Sequence, residues 1–146
     1  MAVGGLRIAL LAGDRAQCII DVVESSLWTP LGLRTLSPDD PRYVSECSGA
    51  ASTRDRAYHN GPAWPWLMGP FVDAWVRCRA TGGGPWAMKA ARGEAKRRFL
   101  PGLARHLDEA GIGHVSEMAD SEEPWTPRGC PFQAWSVGEM LRLLAD

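Results

Sequence analysis

The sequence alternates between segments with a helical pattern of apolar residues and two long segments that lack it. The irregular segments cover residues 28–61 and 111–129, and prolines and glycines punctuate the first of them. Irregular segments longer than about 12–15 residues are usually functional or disordered. If successive helices run antiparallel, both segments emerge at one end of a helical assembly, where a site would lie.

The pattern predicts five helices, the first of which ends within residues 3–11. Gly13 is expected to end that helix, and Asp14 is expected to cap the second. Residues repeating at i, i+3 and i+4 predict the inward face of the second helix: Ala16, Ile19, Ile20, Val23 and Leu27. A short extended piece is expected over Leu33–Leu36.

The third helix is predicted to begin near Pro62, because proline is tolerated in a first turn. Its wide apolar face predicts deep burial: Trp64, Leu67, Met68, Phe71, Val72, Trp75 and Val76. Pro70 lies inside this range and is expected to kink the helix near Trp66.

The last two predicted helices cover Trp86–Ala110 and Pro131–Ala145. Pro101 and Gly102 are expected to bend the fourth helix. The predicted inward residues are Leu100, Leu103, Leu107 and Ala110 in the fourth helix, and Val137, Leu141 and Leu144 in the fifth.

Composition limits the classes of protein and partner. The chain has 146 residues, which suits one domain. Its net charge of −1 gives no electrostatic case for nucleic acid or an anionic membrane. No apolar run approaches the roughly 18 residues of a membrane span. The interruption of the apolar N-terminus by Arg7 argues against a targeting segment.

The cysteines favour the cytoplasm and argue against a metal site. No pair among Cys18, Cys47, Cys78 and Cys130 has Cys-x-x-Cys spacing, which is typical of free thiols in a reducing compartment. His59 has no carboxylate or second histidine at ligand spacing. We therefore predict a cytoplasmic protein with no metal.

The motif Tyr-His-Asn-Gly-Pro-Ala-Trp-Pro-Trp at 58–66 carries a resemblance to a known family. It resembles the Tyr-His-Asn-Gly-x-x-Trp-Pro-Trp motif of the amylo-alpha-1,6-glucosidase (glycogen debranching) family. Three more stretches are similar to that family in the same order: Gly32–Leu36, Val115–Met118, and Pro127–Cys130 followed by Gln133–Ser136. The chain departs from the family pattern at residues 44–53.

The resemblance implies an all-α fold of six-hairpin type, an (α/α)6 toroid of twelve helices in two rings. Five helices cannot close such a ring. We therefore expect residues 1–146 to form a single incomplete domain, the C-terminal part of a glycosidase barrel. An upstream segment is expected to supply the remaining helices, and the expected partner is an α-glucan oligosaccharide or polysaccharide.

The resemblance implies hydrolysis of α-1,6-glucosidic branch linkages in glycogen or limit dextrins with inversion. That reaction needs two carboxyl groups about 6.5–9.5 Å apart. The resemblance makes Glu117 the general base and places the general acid upstream of this chain. The chain alone is therefore expected to be inactive, and no cofactor is implied.

Residues of the matched stretches have side chains that suit a sugar, and they are the expected substrate contacts: Arg54, Asp55, Tyr58, His59, Asn60, Trp64, Trp66, Gln133 and Trp135. Arg54 and Asp55 are expected either to contact substrate or to brace their loop. Trp64 is either a core residue or a sugar platform, whereas Trp66 lies off the apolar stripe and is the better platform. Gln133 and Trp135 begin the fifth helix, whose N-terminus favours an ionised Glu117.

A second interpretation comes from a different class of protein. The same tryptophans and His59 would serve a non-catalytic helical module that binds carbohydrate or another protein. The two interpretations differ on Glu117, which matters for hydrolysis and not for binding.

Overall fold

Helices make up most of the described chain, and a small sheet joins the segments between them. The computed structural model describes residues 10–80 and 82–145. The helices are α1 (Gly13–Ser26), α2 (Ala51–Ala57), α3 (Met68–Arg79), α4 (Gly84–Phe99), α5 (Pro101–His106) and α6 (Ala134–Ala145). The strands are β1 (Trp28–Thr29), β2 (Gly32–Arg34), β3 (Ala63–Trp64), β4 (Met118–Ala119) and β5 (Pro127–Arg128). None of the described helices has the length and apolar character needed to cross a membrane.

The sheet corrects the prediction of an all-α fold. Its five strands are antiparallel neighbours in the order β1-β2-β3-β4-β5. Leu33 pairs with Trp64, Ala63 with Ala119, and Met118 with Arg128. Strands of two or three residues are too short to show an alternating pattern. Pairing between remote segments, rather than local preference, therefore creates this sheet.

The predicted start of the third helix is also wrong. Residues 63–64 form β3 and Pro65–Leu67 form one 3-10 turn, so α3 begins at Met68. Pro70 is consequently in the first turn of α3, where a backbone N–H has no acceptor within the helix and proline is tolerated. The kink predicted near Trp66 is therefore wrong, and Trp64 lies in a strand.

The fourth predicted helix breaks at the predicted position. α4 ends at Phe99 and α5 begins at Pro101, with a π turn following over Leu107–Gly111. Gly102 allows the turn after β1 to approach α5 closely, since a Cβ at Gly102 would overlap Pro30. The break thereby brings one edge of the sheet against α5.

The packed faces of α1, α5 and α6 differ in part from the predicted apolar stripes. The buried apolar residues on these faces and at the α4–α5 junction are Ala16, Ile20, Leu100, Leu103, Met140 and Leu143. The residues predicted inward but exposed are Ile19, Ala110, Leu141 and Leu144. When the stripe of apolar residues on a helix is wider than the face that packs, the sequence does not determine the rotation of the helix about its axis. Asp14 lies in the first turn of α1 and makes no cap hydrogen bond.

The described residues form a large and a small apolar core. In the large core the rings of Trp28, Phe71 and Trp75 contact Phe99 edge-on, with centroids 5.1–5.6 Å apart. The small core consists of Cys47, Ala57, Trp64 and Met118. It lies under the two irregular segments and connects them to the sheet.

The first irregular segment and the N-terminal segment also differ from the helix prediction. Residues 51–57 form α2 inside a segment that was predicted to be irregular. Most of the helix predicted over residues 3–11 lies outside the described residues, and Leu10 and Leu11 are not helical.

Candidate active site

The two irregular segments pack against each other, as the sequence predicted. The Ser121 N–H donates to the Ser45 carbonyl at 2.9 Å. The Cys47 N–H donates to Asp120 Oδ1 at 3.0 Å, and the Tyr43 hydroxyl lies 2.7 Å from Ser121 Oγ. These contacts place the polar residues of both segments in one region above the small core.

Glu117 is half-buried in this region, and both of its carboxylate oxygens accept hydrogen bonds. The Tyr58 hydroxyl donates to Oε1 at 2.5 Å. The Cys130 N–H donates to Oε2 at 2.9 Å. The backbone is tied to the same residue, because the Glu117 N–H donates to the Cys130 carbonyl at 2.8 Å. The carboxylate is therefore fixed in orientation from two sides, by side chain and by backbone.

The hydrogen bond to Glu117 controls the ionisation of Tyr58. It stabilises the protonated phenol and raises the pKa of Tyr58 to about 12, with burial adding to the shift. The hydroxyl thus remains a donor to Glu117 throughout the neutral pH range.

Gly129 leaves the space that the Glu117 side chain occupies. Its φ is +69°, a left-handed conformation that favours glycine. A Cβ on Gly129 would lie 3.0 Å from Glu117 Cβ and 3.1 Å from its Cδ. The turn after β5 can therefore pass directly beside the carboxylate.

An ion pair between a buried carboxylate and a partly exposed arginine holds the β4–β5 hairpin that carries Glu117. Asp120 is 4% exposed, and both its oxygens contact the Arg128 guanidinium at 2.7–3.0 Å. Hydrogen bonding to Asp120 raises the pKa of Arg128. Since Asp120 also accepts the Cys47 N–H, this pair connects the hairpin to the first irregular segment.

Aromatic rings form a continuous wall next to Tyr58. His59 stacks on Trp64 at 5.5 Å and 15° between the ring planes. Trp135 lies 6.5 Å from Trp64 and 6.4 Å from Trp66, between centroids. Trp64 is 4% exposed and its Nε1 donates to the Tyr58 carbonyl, so its burial agrees with the core alternative. His59 and Trp135 are exposed and Trp66 is half-buried, so these three rings can meet a ligand.

The other predicted contact residues lie at the edges of this region. Arg54 donates to the Gly49 carbonyl at 2.6 Å, which braces its loop. Asp55 is exposed on α2. Asn60 donates to the Arg56 carbonyl at 2.6 Å and thus caps the end of α2. The Gln133 N–H donates to the Val115 carbonyl at 3.0 Å, which places the start of α6 beside the Glu117 segment.

Comparison with known proteins places the sequence of this chain in a family. Residues 3–142 match the family described as Amylo-alpha-1,6-glucosidase. The chain belongs to the amylo-alpha-1,6-glucosidase family. It is 26% identical over 150 aligned positions to the glycogen debranching enzyme of Saccharomyces cerevisiae (strain ATCC 204508 / S288c). That alignment covers 94% of this chain and 10% of the yeast enzyme.

Two features of this candidate site were missed by sequence reasoning. The first is the Cys130 N–H, a donor to Glu117 that belongs to the backbone and so has no side-chain signal in the sequence. The pairing of Asp120 with Arg128 depends on the β4–β5 register, although both residues lie in or beside the recognised stretches. In the described part of the chain no group of three or more His, Cys, Asp or Glu residues is placed to hold a metal ion.

Replacing Tyr58 by phenylalanine should impair the family reaction without unfolding the site. Because the lost hydrogen bond holds one oxygen of the Glu117 carboxylate in place, we expect kcat to fall about tenfold. Tyr43→Phe is the matched control, since Tyr43 also donates to a glutamate, Glu122, at 2.9 Å. Equal losses of kcat in the two variants would contradict this prediction.

Proposed function

We propose that this chain supplies the general base, Glu117, of a glycoside hydrolase that cleaves α-1,6-glucosidic branch linkages in glycogen or limit dextrins by inversion. The observation that carries the proposal is the half-buried carboxylate of Glu117. It is fixed by Tyr58 and the Cys130 N–H in a chain of the amylo-alpha-1,6-glucosidase family. A base of this kind must present an ionised oxygen in a fixed direction to the attacking water.

The aromatic rings provide the apolar surface of the proposed sugar site. Trp66, Trp135 and His59 offer ring faces on which the apolar side of a pyranose can stack. Exposed stacking surface next to a fixed carboxylate suits a substrate with one reactive linkage and many hydroxyl groups. We therefore assign Trp66 and Trp135 to substrate binding and Trp64 to their support.

The general acid is proposed to come from outside this chain. Asp120 is a carboxylate of the site, but it is buried and its oxygens contact Arg128 and the Cys47 N–H. It is therefore not placed to reach the leaving oxygen of a substrate. We further propose that the described helices belong to an (α/α)6 toroid whose remaining part carries the acid, so that the chain alone does not hydrolyse branched glucans.

The anomer of the first product tests the reaction and its stereochemistry together. The natural protein that carries this chain is mixed with a maltooligosaccharide bearing one α-1,6-linked glucose, and released glucose is followed by proton NMR. We expect β-glucose to appear first, because water attacks the face opposite to the α-linked leaving group. Release of α-glucose first would contradict inversion. Binding without any glucose release would favour the non-catalytic carbohydrate-binding module.

A further inference from the structure

A cavity lies between α5 and the turn that joins β4 to β5. Its volume is about 340 Å³, which falls in the usual range for small-molecule sites, about 300–1,000 Å³. Pro30 of the β1–β2 turn and Trp125 of the β4–β5 turn both line it. Tyr58, Glu117 and Cys130 do not line it, so this cavity is separate from the candidate active site.

One wall of the cavity carries a buried histidine with an unused donor. His106 is 5% exposed, and burial lowers its pKa, which keeps the ring neutral at pH 7. Its Nε2 accepts a hydrogen bond from the Ser116 N–H at 3.2 Å, so the proton resides on Nδ1. Within residues 10–80 and 82–145 no group accepts a hydrogen bond from Nδ1. A ligand oxygen in the cavity can accept this hydrogen bond.

Trp125 provides a flat apolar surface in the same cavity. Its φ is 52°, a left-handed conformation that bulky residues rarely adopt. The Trp125 N–H donates to the Glu122 carbonyl at 2.7 Å, which fixes the turn in this form. Strained backbone that presents a large side chain to a cavity is a feature of ligand-binding sites.

The charged groups of the cavity favour a neutral ligand rich in hydroxyls. Arg105, Glu109 and Glu123 line it, and none forms a hydrogen bond or ion pair within the described part of the chain. Two carboxylates against one guanidinium disfavour an anion such as a phosphate. Carboxylates accept and guanidinium groups donate hydrogen bonds, so together they match the hydroxyl groups of a sugar ring.

We propose that this cavity is a second, non-catalytic site for a glucose unit of an α-glucan chain. The Trp125 ring stacks against the sugar, and His106 Nδ1 donates to one of its oxygens. This inference rests on the proposed glucan substrate, but it does not depend on Glu117 being a base. A second site on one polysaccharide raises the effective concentration of branches at the first.

Calorimetric titration with maltoheptaose tests this site in the natural protein that carries the chain. Maltoheptaose is a linear α-1,4 glucan, so hydrolysis of α-1,6 linkages leaves it intact during the titration. We expect Trp125→Gly, which accepts the positive φ, to weaken binding at this site by about tenfold. The rate on a short, singly branched oligosaccharide should not change.

Two further variants keep this test decisive. Trp86→Ala is the matched control, because Trp86 is 82% exposed on α4 and does not line the cavity. Arg105→Ala changes an exposed side chain of α5 and should weaken the same site even if Trp125→Gly does not fold. Unchanged affinity in both cavity variants would overturn the proposal.

The outcomes for the two sites are distinguishable. Normal hydrolysis by Glu117→Gln, together with weakened maltoheptaose binding by Trp125→Gly, would refute the proposed catalysis and leave the second site standing. Lost hydrolysis in Glu117→Gln with full binding by both cavity variants would refute the second site alone.

Discussion

Glu117→Gln in the natural protein that carries this chain is expected to lower kcat for α-1,6 hydrolysis about 10²–10⁴-fold. Glutamine has the shape of glutamate but cannot take a proton from the attacking water. Its amide can still be accommodated: Oε1 can accept the Cys130 N–H, and Nε2 can donate to the Tyr58 oxygen. The loss therefore reports the missing base rather than a collapsed site.

Binding and controls separate this result from a general loss of structure. The affinity of Glu117→Gln for a branched oligosaccharide should remain within about twofold, because the aromatic wall is untouched. Glu94→Gln is the matched control, since Glu94 is exposed on α4 and should leave kcat unchanged. Asp55→Asn tests the other motif carboxylate and should affect KM more than kcat. A Glu117→Gln variant with near-normal kcat would refute the assignment of the base.

Part of the helical fold, but neither α2 nor the start of α3, follows from patterns that a single segment contains. α4, α5 and their break follow from apolar spacing and from Pro101, and the predicted inward Leu103 is buried. The apolar stripe predicted for the third helix extends too far towards the N-terminus, because it includes Trp64, whose burial has a different cause. It belongs to the small core through a strand rather than through a helix.

The sheet and the exact faces of the helices depend on partners elsewhere in the chain. Ala63 and Ala119 lie 56 residues apart and pair through their backbones, which leaves no mark on side-chain pattern. In α6, Leu141 and Leu144 fit an amphipathic pattern as well as Met140 and Leu143 do. Only the packing of neighbouring elements selects which pair faces inward.

In the candidate site, too, some features could be predicted from the sequence and others depend on how remote segments pack. The motif at 58–66 and the Glu117 stretch were found by family resemblance, and the antiparallel argument predicted that their segments meet. The hydrogen bond from Tyr58 to Glu117 was not predicted, because Tyr58 was expected to contact the substrate. Residue type identifies a group able to donate, whereas only the fold decides whether the acceptor is a ligand or a neighbouring carboxylate.

Arg128→Met should loosen the junction between the two irregular segments. It leaves the Asp120 carboxylate buried without its cation, and we expect local opening to become easier by about 2–3 kcal/mol. Hydrogen–deuterium exchange measures this directly, since the Cys47 N–H donates to Asp120 and the Ser121 N–H donates across the same junction. Both amides should exchange roughly 30–150-fold faster.

Matched variants show whether the buried charge is the cause of that opening. Asp120→Asn combined with Arg128→Met removes the charge and keeps an oxygen for the Cys47 N–H, so it should restore part of the lost protection. Arg42→Met breaks an exposed pair with Asp40 and should leave both amides unchanged. If Arg128→Met and Arg42→Met had equal effects, the Asp120–Arg128 pair would not hold the segments together. Because the β4–β5 hairpin carries Glu117, faster exchange in Arg128→Met should be accompanied by lower kcat, which ties the stability of the junction to the proposed base.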